Sequence, residues 1–241
     1  MNNSISVAMA VYNGEPFIRE QLDSIICQLK EDDEIVISYD KSSDKTWDII
    51  KEYERNYATI KVIKNNNPGV FGNFENAIRN CSKDYIFISD QDDIWLPEKR
   101  SAVLSCFQEN KCDMVIHNGR HINIKGEIIS DSFFDLGNIK HDLIKNFVKP
   151  EYSGCCTVFS REFAQVILPI PRGVGAYDHW IGMTGELIGK VIFLDKILLY
   201  HRIHGNNVTP TRRRPLKVIA KARVNLAYSL LIRKIKWRRV R

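Results

Sequence analysis

The chain has 241 residues and a formal net charge of +6, with 44% hydrophobic and 27% charged residues. This balance is typical of a soluble α/β domain with a substantial core, and the absence of any run of roughly 18 apolar residues excludes an ordinary membrane-spanning helix. The six cysteines form no CxxC pair and no other metal-ligand spacing. Because the N-terminal residues show no basic leader, we expect a chain without a signal peptide in a reducing cytoplasm.

The first 110 residues alternate between strand-like and helix-like segments. Apolar runs typical of buried strands occupy 5–12, 33–40, 60–65 and 84–90. Apolar residues at helical spacing predict helices at 18–29, 42–53, from about Asn73, and at 96–110. This alternation predicts a parallel sheet with right-handed crossovers, whose ligands bind at the carboxyl ends of the strands.

The pattern beyond residue 110 is looser. We expect a strand at 112–122, a strand entering a helix at 153–167, a helix at 175–189 and paired strands at 190–207. The chain is therefore divided into 1–110 and 111–210, as two halves of one domain, and a C-terminal extension at 211–241.

The fourth strand-like run ends in three carboxylates, Asp90, Asp92 and Asp93, directly before Ile94 and Trp95. Carboxylates this close repel one another, and their pKa values rise unless a cation or hydrogen bonds offset the repulsion. Since Mg²⁺ and Mn²⁺ prefer carboxylate, water and phosphate oxygens, one turn of backbone could aim Asp90 and Asp92 at such an ion. A solvated turn with Asp at the start of a helix is the alternative.

Several segments in a fixed order carry a resemblance to a known family. They are SVAMAVYNGEPFIREQLDSIICQ, DEIVISYDKSSDKTWDII, NPGVFGNFENAI and DYIFISDQDDIWLPEK, followed by SGCCTVFSREF, YDHWIG and LLYHRIHGNNV. This set resembles the family-2-type glycosyltransferases of the GT-A fold, and is similar to bacterial rhamnosyl- and related surface-polysaccharide transferases. The resemblance implies a mixed, mainly parallel α/β sheet flanked by helices. It also implies that 1–110 binds a nucleotide sugar and that 111–210 binds the acceptor and holds the catalytic group.

The resemblance further implies a nucleotide site. Its expected members are Ala10, Tyr12, Asp40, Asn73 and Asp90. Tyr12 would stack on the nucleotide base, although a partly buried core aromatic is the alternative, and Asp40 would accept a hydrogen bond from the base. The family usually has two adjacent acids at the end of the second strand, but here the first of them is Tyr39.

A metal site is also implied by the resemblance. Asp92 would bind Mn²⁺ or Mg²⁺ beneath the diphosphate, Asp90 would contact the ribose and metal-bound water, and His204 would add an imidazole ligand. Such an ion neutralises a diphosphate leaving group. The alternative for His204 is an ordinary hydrogen-bonded histidine.

Asp178 is the expected general base, since inverting glycosyl transfer needs a carboxylate to take the proton of the acceptor hydroxyl. A helix N-cap is the other role open to this residue. Trp180 could form a platform for the acceptor, and Cys155 lies in a GC pair that the family places near the acceptor. A structural role for Cys155 is equally open.

These features favour an inverting, metal-dependent glycosyltransferase that uses a UDP- or dTDP-sugar. The acceptor would be a glycan or a polyprenyl-diphosphate-linked glycan in surface-polysaccharide synthesis. An inactive scaffold of the same fold is an alternative. A sugar-nucleotide pyrophosphorylase is disfavoured, because the loop YNGEPF is neither glycine-rich nor basic.

The segment 211–241 carries 12 Lys and Arg residues and no acid, whereas the preceding 210 residues carry 23 basic and 29 acidic groups. Ile219, Leu226, Leu230 and Trp237 recur at near-helical spacing among these cations. This pattern predicts an amphipathic helix that attaches peripherally to the anionic inner face of the cell membrane. A protein partner is an alternative, and nucleic acid is disfavoured because no base-reading module accompanies the tail.

Overall fold

The computed structural model describes residues 3–137, 141–205 and 215–238. Residue 238 is described by its backbone alone. The strands are β1 (Ile5–Val11), β2 (Glu34–Tyr39), β3 (Ile60–Lys64), β4 (Tyr85–Ser89), β5 (Ile94–Trp95), β6 (Met114–Ile122), β7 (Ile128–Ser132), β8 (Thr157–Ser160) and β9 (Val191–Arg202). The helices are α1 (Ile18–Ile26), α2 (Thr46–Asn56), α3 (Val70–Arg79), α4 (Lys99–Asn110), α5 (Phe133–Gly137), α6 (Leu143–Val148), α7 (Arg161–Ile167), α8 (Tyr177–Ile188) and α9 (Leu216–Arg238). A 3₁₀ turn, Gly154–Cys156, precedes β8.

One sheet of nine strands organises the described chain, in the spatial order β3-β2-β1-β4-β8-β6-β9-β5 with β7 beside β6. The four strands β3, β2, β1 and β4 are parallel. Strand β8 runs antiparallel to both β4 and β6, and β6 and β9 are parallel again. The predicted mixed α/β sheet flanked by helices is confirmed.

Two apolar cores cover the two faces of the sheet. On β1, Val7 and Met9 belong to the core that also contains side chains of α1, α2 and α4, while Ala8 belongs to the core with α3, α7, α8 and α9. All three residues are fully buried. Because helices cover both faces, β1 is apolar at nearly every position rather than alternating.

The predicted pair of strands at 190–207 is a single strand of 12 residues, β9, as far as the structure describes this segment. Its pairing with β6 shifts register between Leu194 and Ile197, so Asp195 and Lys196 form an irregularity in a continuous strand. Its second half also pairs with the short strand β5. The polar residues at the irregularity interrupt the apolar run, which is why the sequence reads as two strands. Residues 206 and 207 lie outside the described part.

The tail forms the predicted helix, α9, but the side expected to face a membrane packs against the protein. Leu226 is 0% exposed and Leu230 is 4% exposed, and both belong to the core that contains α8. Ile219 is half-buried, and Trp237 packs partly buried against the same core. These four residues therefore do not form the outward face. None of the helices in the described ranges is long and apolar enough to span a bilayer.

Candidate active site

The loops after β1 and β4 are joined by the side chain of Gln91. Its Oε1 accepts a hydrogen bond from the Tyr12 N–H at 2.8 Å, and its Nε2 donates to the Tyr12 carbonyl at 2.7 Å. A Cβ atom at Gly14 would lie 2.6 Å from Gln91 Oε1, so glycine permits this close approach. The backbone of Tyr12 is thus held, while its side chain is 57% exposed. Sequence reasoning missed Gln91, whose only signal was its place between two acids.

The other expected nucleotide residues surround the carboxyl end of β1. Asp40, which is buried, accepts hydrogen bonds from Asn65 Nδ2 at 2.7 Å and from the Gly69 N–H at 2.8 Å. Asn73 donates from Nδ2 to the Val11 carbonyl at 3.2 Å, and its buried Oδ1 has no hydrogen-bond partner in the described chain. Ala10 lies half-buried one residue before the end of β1.

The structure brings Asp92 and His204 together, with 2.8 Å between Asp92 Oδ2 and His204 Nε2. The imidazole of His204 also stacks on Phe17, with 4.9 Å between the ring centroids. Burial and then the charge of Asp93 raise the pKa of Asp92, although the hydrogen bond from His204 opposes the rise. The carboxylate and the imidazole therefore form a preorganised pair at the carboxyl edge of the sheet.

Asp90 follows β4 at the same edge and is half-buried. Burial raises its pKa well above the ordinary value, and the charges of Cys155, Asp93 and Asp92 add to the rise. Asp90, Asp92 and His204 do not form a set whose ligand atoms all lie within 4.8 Å of one another. In this geometry Asp92 and His204 are the two direct metal-ligand candidates, and Asp90 lies outside that pair.

The third acid, Asp93, is fully buried. It holds the end of β9 to the loop after β4, Asp90–Asp93, which we call the acidic loop. Its Oδ1 lies 2.8 Å from His201 Nδ1 and accepts the Arg202 N–H at 3.2 Å. Burial opposes the charged form of His201, but the carboxylate of Asp93 outweighs burial and leaves the pKa of His201 well above its ordinary value. The buried Arg202 also donates from Nε to the Asp92 carbonyl at 3.1 Å.

A buried lysine lies behind the acidic loop. The Nζ of Lys99 donates to the Cys155 carbonyl at 2.9 Å and lies 4.3 Å from the centroid of the Trp95 ring. Burial lowers the pKa of Lys99 to about 8, against the charges of Cys156, Cys155 and nearby aspartates. Lys99, His201 and Arg202 therefore supply positive charge and hydrogen-bond donors around acids that seemed uncompensated in the sequence.

Asp93, Cys155 and His201 also place ligand atoms within 4.8 Å of one another. Carboxylate, thiolate and imidazole are ligands that suit zinc. His201 Nδ1 already forms a hydrogen bond with Asp93. Cys155 Sγ lies 3.9 Å from the same nitrogen and 3.1 Å from Ser153 Oγ. We interpret this trio as the hydrogen-bonded link between β9 and the acidic loop.

Helix α8 begins beside the acidic loop and carries Asp178 in its first turn. Its N-cap is Ala176, and Asp178 Oδ1 accepts the N–H of His179 at 2.7 Å, so Asp178 is not the N-cap. Burial raises the pKa of Tyr177 well above its ordinary value, followed by the charges of Asp90 and Asp178. Tyr177 therefore lies within electrostatic range of both carboxylates.

Tyr177 is packed on both sides. Its ring stacks on Phe74 of α3, with 4.2 Å between the centroids. A Cβ at Gly154 would lie 2.1 Å from the Tyr177 hydroxyl oxygen, which explains the glycine at this position. Sequence reasoning named neither contact. Together they fix the start of α8 against the half of the sheet that carries the acidic loop.

Two expected acceptor residues are corrected by the structure. Trp180 is 0% exposed, and its Nε1 donates to the Ile167 carbonyl at 2.9 Å, so it is a core residue and not an exposed platform. Cys155 is 1% exposed beneath the acidic loop, where it cannot meet an acceptor without rearrangement. Position 180 faces the core because α7 and α9 cover that side of α8.

Residues 6–168 match the family described as glycosyl transferase family 2. Among curated relatives, the chain is similar to the dTDP-rhamnosyl transferase RfbG of Shigella flexneri, with 40% identity over 116 residues that cover 46% of this chain and 40% of the relative. The chain spans between 22% and 66% of the length of the first curated relatives that it matches.

Solved structures show the same fold. Residues 1–349 of Staphylococcus aureus TarS in complex with UDP-GlcNAc superpose with a TM-score of 0.75 at 18% identity, covering 95% of this chain and 66% of that chain. The mannosyltransferase PcManGT of Pyrobaculum calidifontis, in complex with GDP-Man and Mn²⁺, superposes with a TM-score of 0.64 at 16% identity, covering 95% and 74%. With its mixed sheet and its acidic loop after β4, the chain has the GT-A fold and belongs to glycosyl transferase family 2.

Proposed function

We propose that the chain is an inverting, metal-dependent glycosyltransferase that moves a sugar from a nucleoside-diphosphate sugar to a glycan or lipid-linked acceptor of surface-polysaccharide synthesis. The observation that carries this proposal is the contact of Asp92 with His204 at the carboxyl edge of the sheet, where the exposed ring of Tyr12 also lies. Parallel α/β sheets bind their ligands at this edge.

Asp92 and His204 would hold Mn²⁺ or Mg²⁺, with Asp90 reaching the ion through water. The fit is supported by the donor set, since carboxylate and imidazole are suitable ligands, and by the raised pKa values of Asp90 and Asp92. Burial and the neighbouring negative charges raise both pKa values, so a cation bound at this edge would favour the charged carboxylates. When bound, the ion neutralises charge on the diphosphate leaving group.

Asp178 is the proposed general base. Its carboxylate would take the proton of the acceptor hydroxyl as the acceptor oxygen attacks the anomeric carbon on the face opposite the leaving diphosphate, which inverts the configuration. The transition state is expected to be oxocarbenium-like. The position of Asp178 in the first turn of α8, next to Tyr177, whose pKa is raised by burial and by the charges of Asp90 and Asp178, supports this role.

The nucleotide of the donor would be bound by Tyr12, Asp40 and Asn73. Tyr12 would stack on the base, and Asp40, which already accepts two hydrogen bonds, would accept from the base edge as a further partner. The buried, unpartnered Oδ1 of Asn73 offers one more acceptor at this edge. A UDP- or dTDP-sugar is the proposed donor, since the relative RfbG is a dTDP-rhamnosyl transferase and TarS was solved with UDP-GlcNAc.

We also propose that the enzyme works at the cytoplasmic face of the membrane, attached through the basic segment 211–241. The absence of acids among its 12 cations supports attraction to anionic lipid. A polyprenyl-diphosphate-linked acceptor would be presented at that surface.

The donor is tested by incubating the full chain with Mn²⁺ and a panel of UDP-, dTDP- and GDP-sugars, and measuring release of the nucleoside diphosphate. We expect one uridine or thymidine donor to be turned over faster than the rest. Calorimetric titration showing that none of these nucleotides binds in the presence of Mn²⁺ would instead favour an inactive scaffold.

A further inference from the structure

Helix α9 has two apolar faces that serve different surroundings. On the inward face, Leu226 and Leu230 are buried against the core that contains α8. A second stripe lies on the outward face: Val224, Tyr228, Leu231 and Ile235, exposed by 68%, 66%, 58% and 45%. Their spacing of four, three and four residues puts these side chains on one side of a helix. We call this set the outward stripe.

The inward face is fixed to the domain by two arginines. Arg223 Nη1 lies 3.2 Å from His179 Nδ1, and Arg233 places its guanidinium 5.1 Å from the centroid of the Trp180 ring. Arg233 also donates to the carbonyls of Leu168 and Pro169 at 2.6 and 2.8 Å. Because α9 is held at several points, the outward stripe has one fixed direction relative to the start of α8.

The charges beside the outward stripe are all positive. Lys217, Lys221 and Lys236 are exposed, Lys234 is half-exposed, and no acid occurs between residues 216 and 238. At helical spacing, Lys221 and Lys236 lie on one flank of the stripe and Lys234 lies on the other. An apolar stripe with cations on both flanks is the arrangement of a helix that lies in the interface of an anionic bilayer.

Charge also argues against covering of the stripe by a second copy of the chain. If a second copy of the chain packed stripe to stripe, its lysines would meet the same lysines, and like charges across an interface are unfavourable. An anionic lipid surface offers apolar depth for the four side chains and negative headgroups for the cations. Each lysine near such a surface adds to the electrostatic attraction.

A groove lies on the flank of α9 that carries Lys236, and its lining does not include the four stripe residues. It has a volume of about 470 Å³ and lies between α9 and the loop after α7. Ile232, Trp237 and Leu168 are among its apolar lining, and Lys236 lies at the same groove. Apolar surface next to a cation is suited to an acyl chain with its headgroup phosphate.

We propose that the outward stripe of α9 inserts into the interface of an anionic bilayer while the inward face stays packed on α8. This inference rests on the proposed membrane attachment of 211–241. It assigns that attachment to the outward stripe of α9. The membrane-bound helix would then be the same helix that contacts His179 and Trp180, so the domain would dock as a rigid unit with α8 in a set orientation. Removing the tail is a poor test, because it would uncover the partners of Leu226 and Leu230.

The test is sedimentation of the full chain with vesicles of phosphatidylglycerol and phosphatidylcholine, compared with vesicles of phosphatidylcholine alone. The test variant is Tyr228→Ser with Leu231→Ser. The matched control is Ile128→Ser with Ile129→Ser, which removes two side chains of 50% and 53% exposure from β7. Circular dichroism and melting temperature check that both variants are folded.

We expect the wild type and the β7 control to bind the anionic vesicles alike, and the stripe variant to bind at least about tenfold more weakly, since two inserted apolar side chains are lost. Equal binding by the stripe variant would overturn the assignment of the face. Absence of wild-type binding, in a preparation that still turns over its nucleotide sugar, would overturn membrane attachment and leave the transferase proposal standing. A dimer of the wild type that the stripe variant cannot form would overturn the inference in favour of a second copy.

Discussion

His204 Nε2 lies 2.8 Å from Asp92 Oδ2, although 112 residues separate the two along the chain. The contact is possible because β9 ends beside the acidic loop. There, Asp93 forms hydrogen bonds with the imidazole of His201 and with the backbone N–H of Arg202. The end of β9 and the loop after β4 thus form one unit. In the proposed enzyme this unit would hold the divalent ion that neutralises charge on the diphosphate.

The first prediction concerns His204. In His204→Ala, loss of an imidazole ligand should raise the Mn²⁺ concentration for half-maximal activity by about tenfold or more. Even loss of a residue that only supports a metal ligand typically weakens metal binding by about tenfold or more. The measurement is donor hydrolysis against Mn²⁺ concentration. Arg161→Ala, at an exposed position on α7, serves as the control. An unchanged Mn²⁺ requirement would show that His204 only bonds Asp92.

The second prediction separates the two roles considered for Asp178. In Asp178→Asn, kcat for transfer should fall by about 10²- to 10⁴-fold, as for removal of a general base. The melting temperature should stay near that of the wild type, because the N-cap of α8 is Ala176. A large loss of stability with kcat retained would return Asp178 to a structural role.

The third prediction tests Gln91, which sequence reasoning did not identify. Gln91→Ala removes both hydrogen bonds to the backbone of Tyr12. With a net value of about 1 kcal/mol for each bond, the dissociation constant of the nucleoside diphosphate should rise by up to roughly thirtyfold. Calorimetric titration with Mn²⁺ present measures it. Gln165→Ala, far from this edge on α7, should bind as the wild type does.

The fourth prediction follows from the lowered pKa of Lys99, which is about 8 in the folded chain against 10.5 ordinarily. Between these values the unfolded chain carries the proton and the folded chain does not, so the free energy of unfolding rises with pH. Compared with Lys99→Met, the wild type should therefore gain stability from pH 8 to pH 10.5, by roughly 3 kcal/mol at most. Urea unfolding at several pH values measures both proteins. A difference that stays flat over this range would contradict the assignment.

Much of the donor half could be predicted, because its strands and helices are marked by short-range patterns in the sequence. Four apolar runs separated by helical periods imply a parallel sheet, and the loops holding Tyr12, Asp40 and Asp90 must then meet at one edge. That Asp92 and His204 belong to one site is implied only by the family resemblance, since no short-range pattern joins residues so distant in sequence.

The features that were missed depend on packing between distant elements. Lys99, His201 and Arg202 surround the acidic loop from α4 and β9, and nothing in their local sequence marks them as its partners. Trp180 was assigned to the acceptor because it follows Asp178 closely. It is buried because α7 and α9 cover it. The sequence predicts 211–241 as an extension of the domain, and so does not predict that α9 covers Trp180.

The central claim is tested most directly by the metal dependence of donor turnover in the wild type and in Asp92→Ala. Purified full chain is stripped with EDTA, and release of the nucleoside diphosphate is measured before and after Mn²⁺ or Mg²⁺ is restored. We expect turnover to vanish in EDTA, to return with the ion, and to stay absent in Asp92→Ala. Undiminished turnover of the nucleotide sugar in excess EDTA would contradict the proposed role of Asp92 and His204.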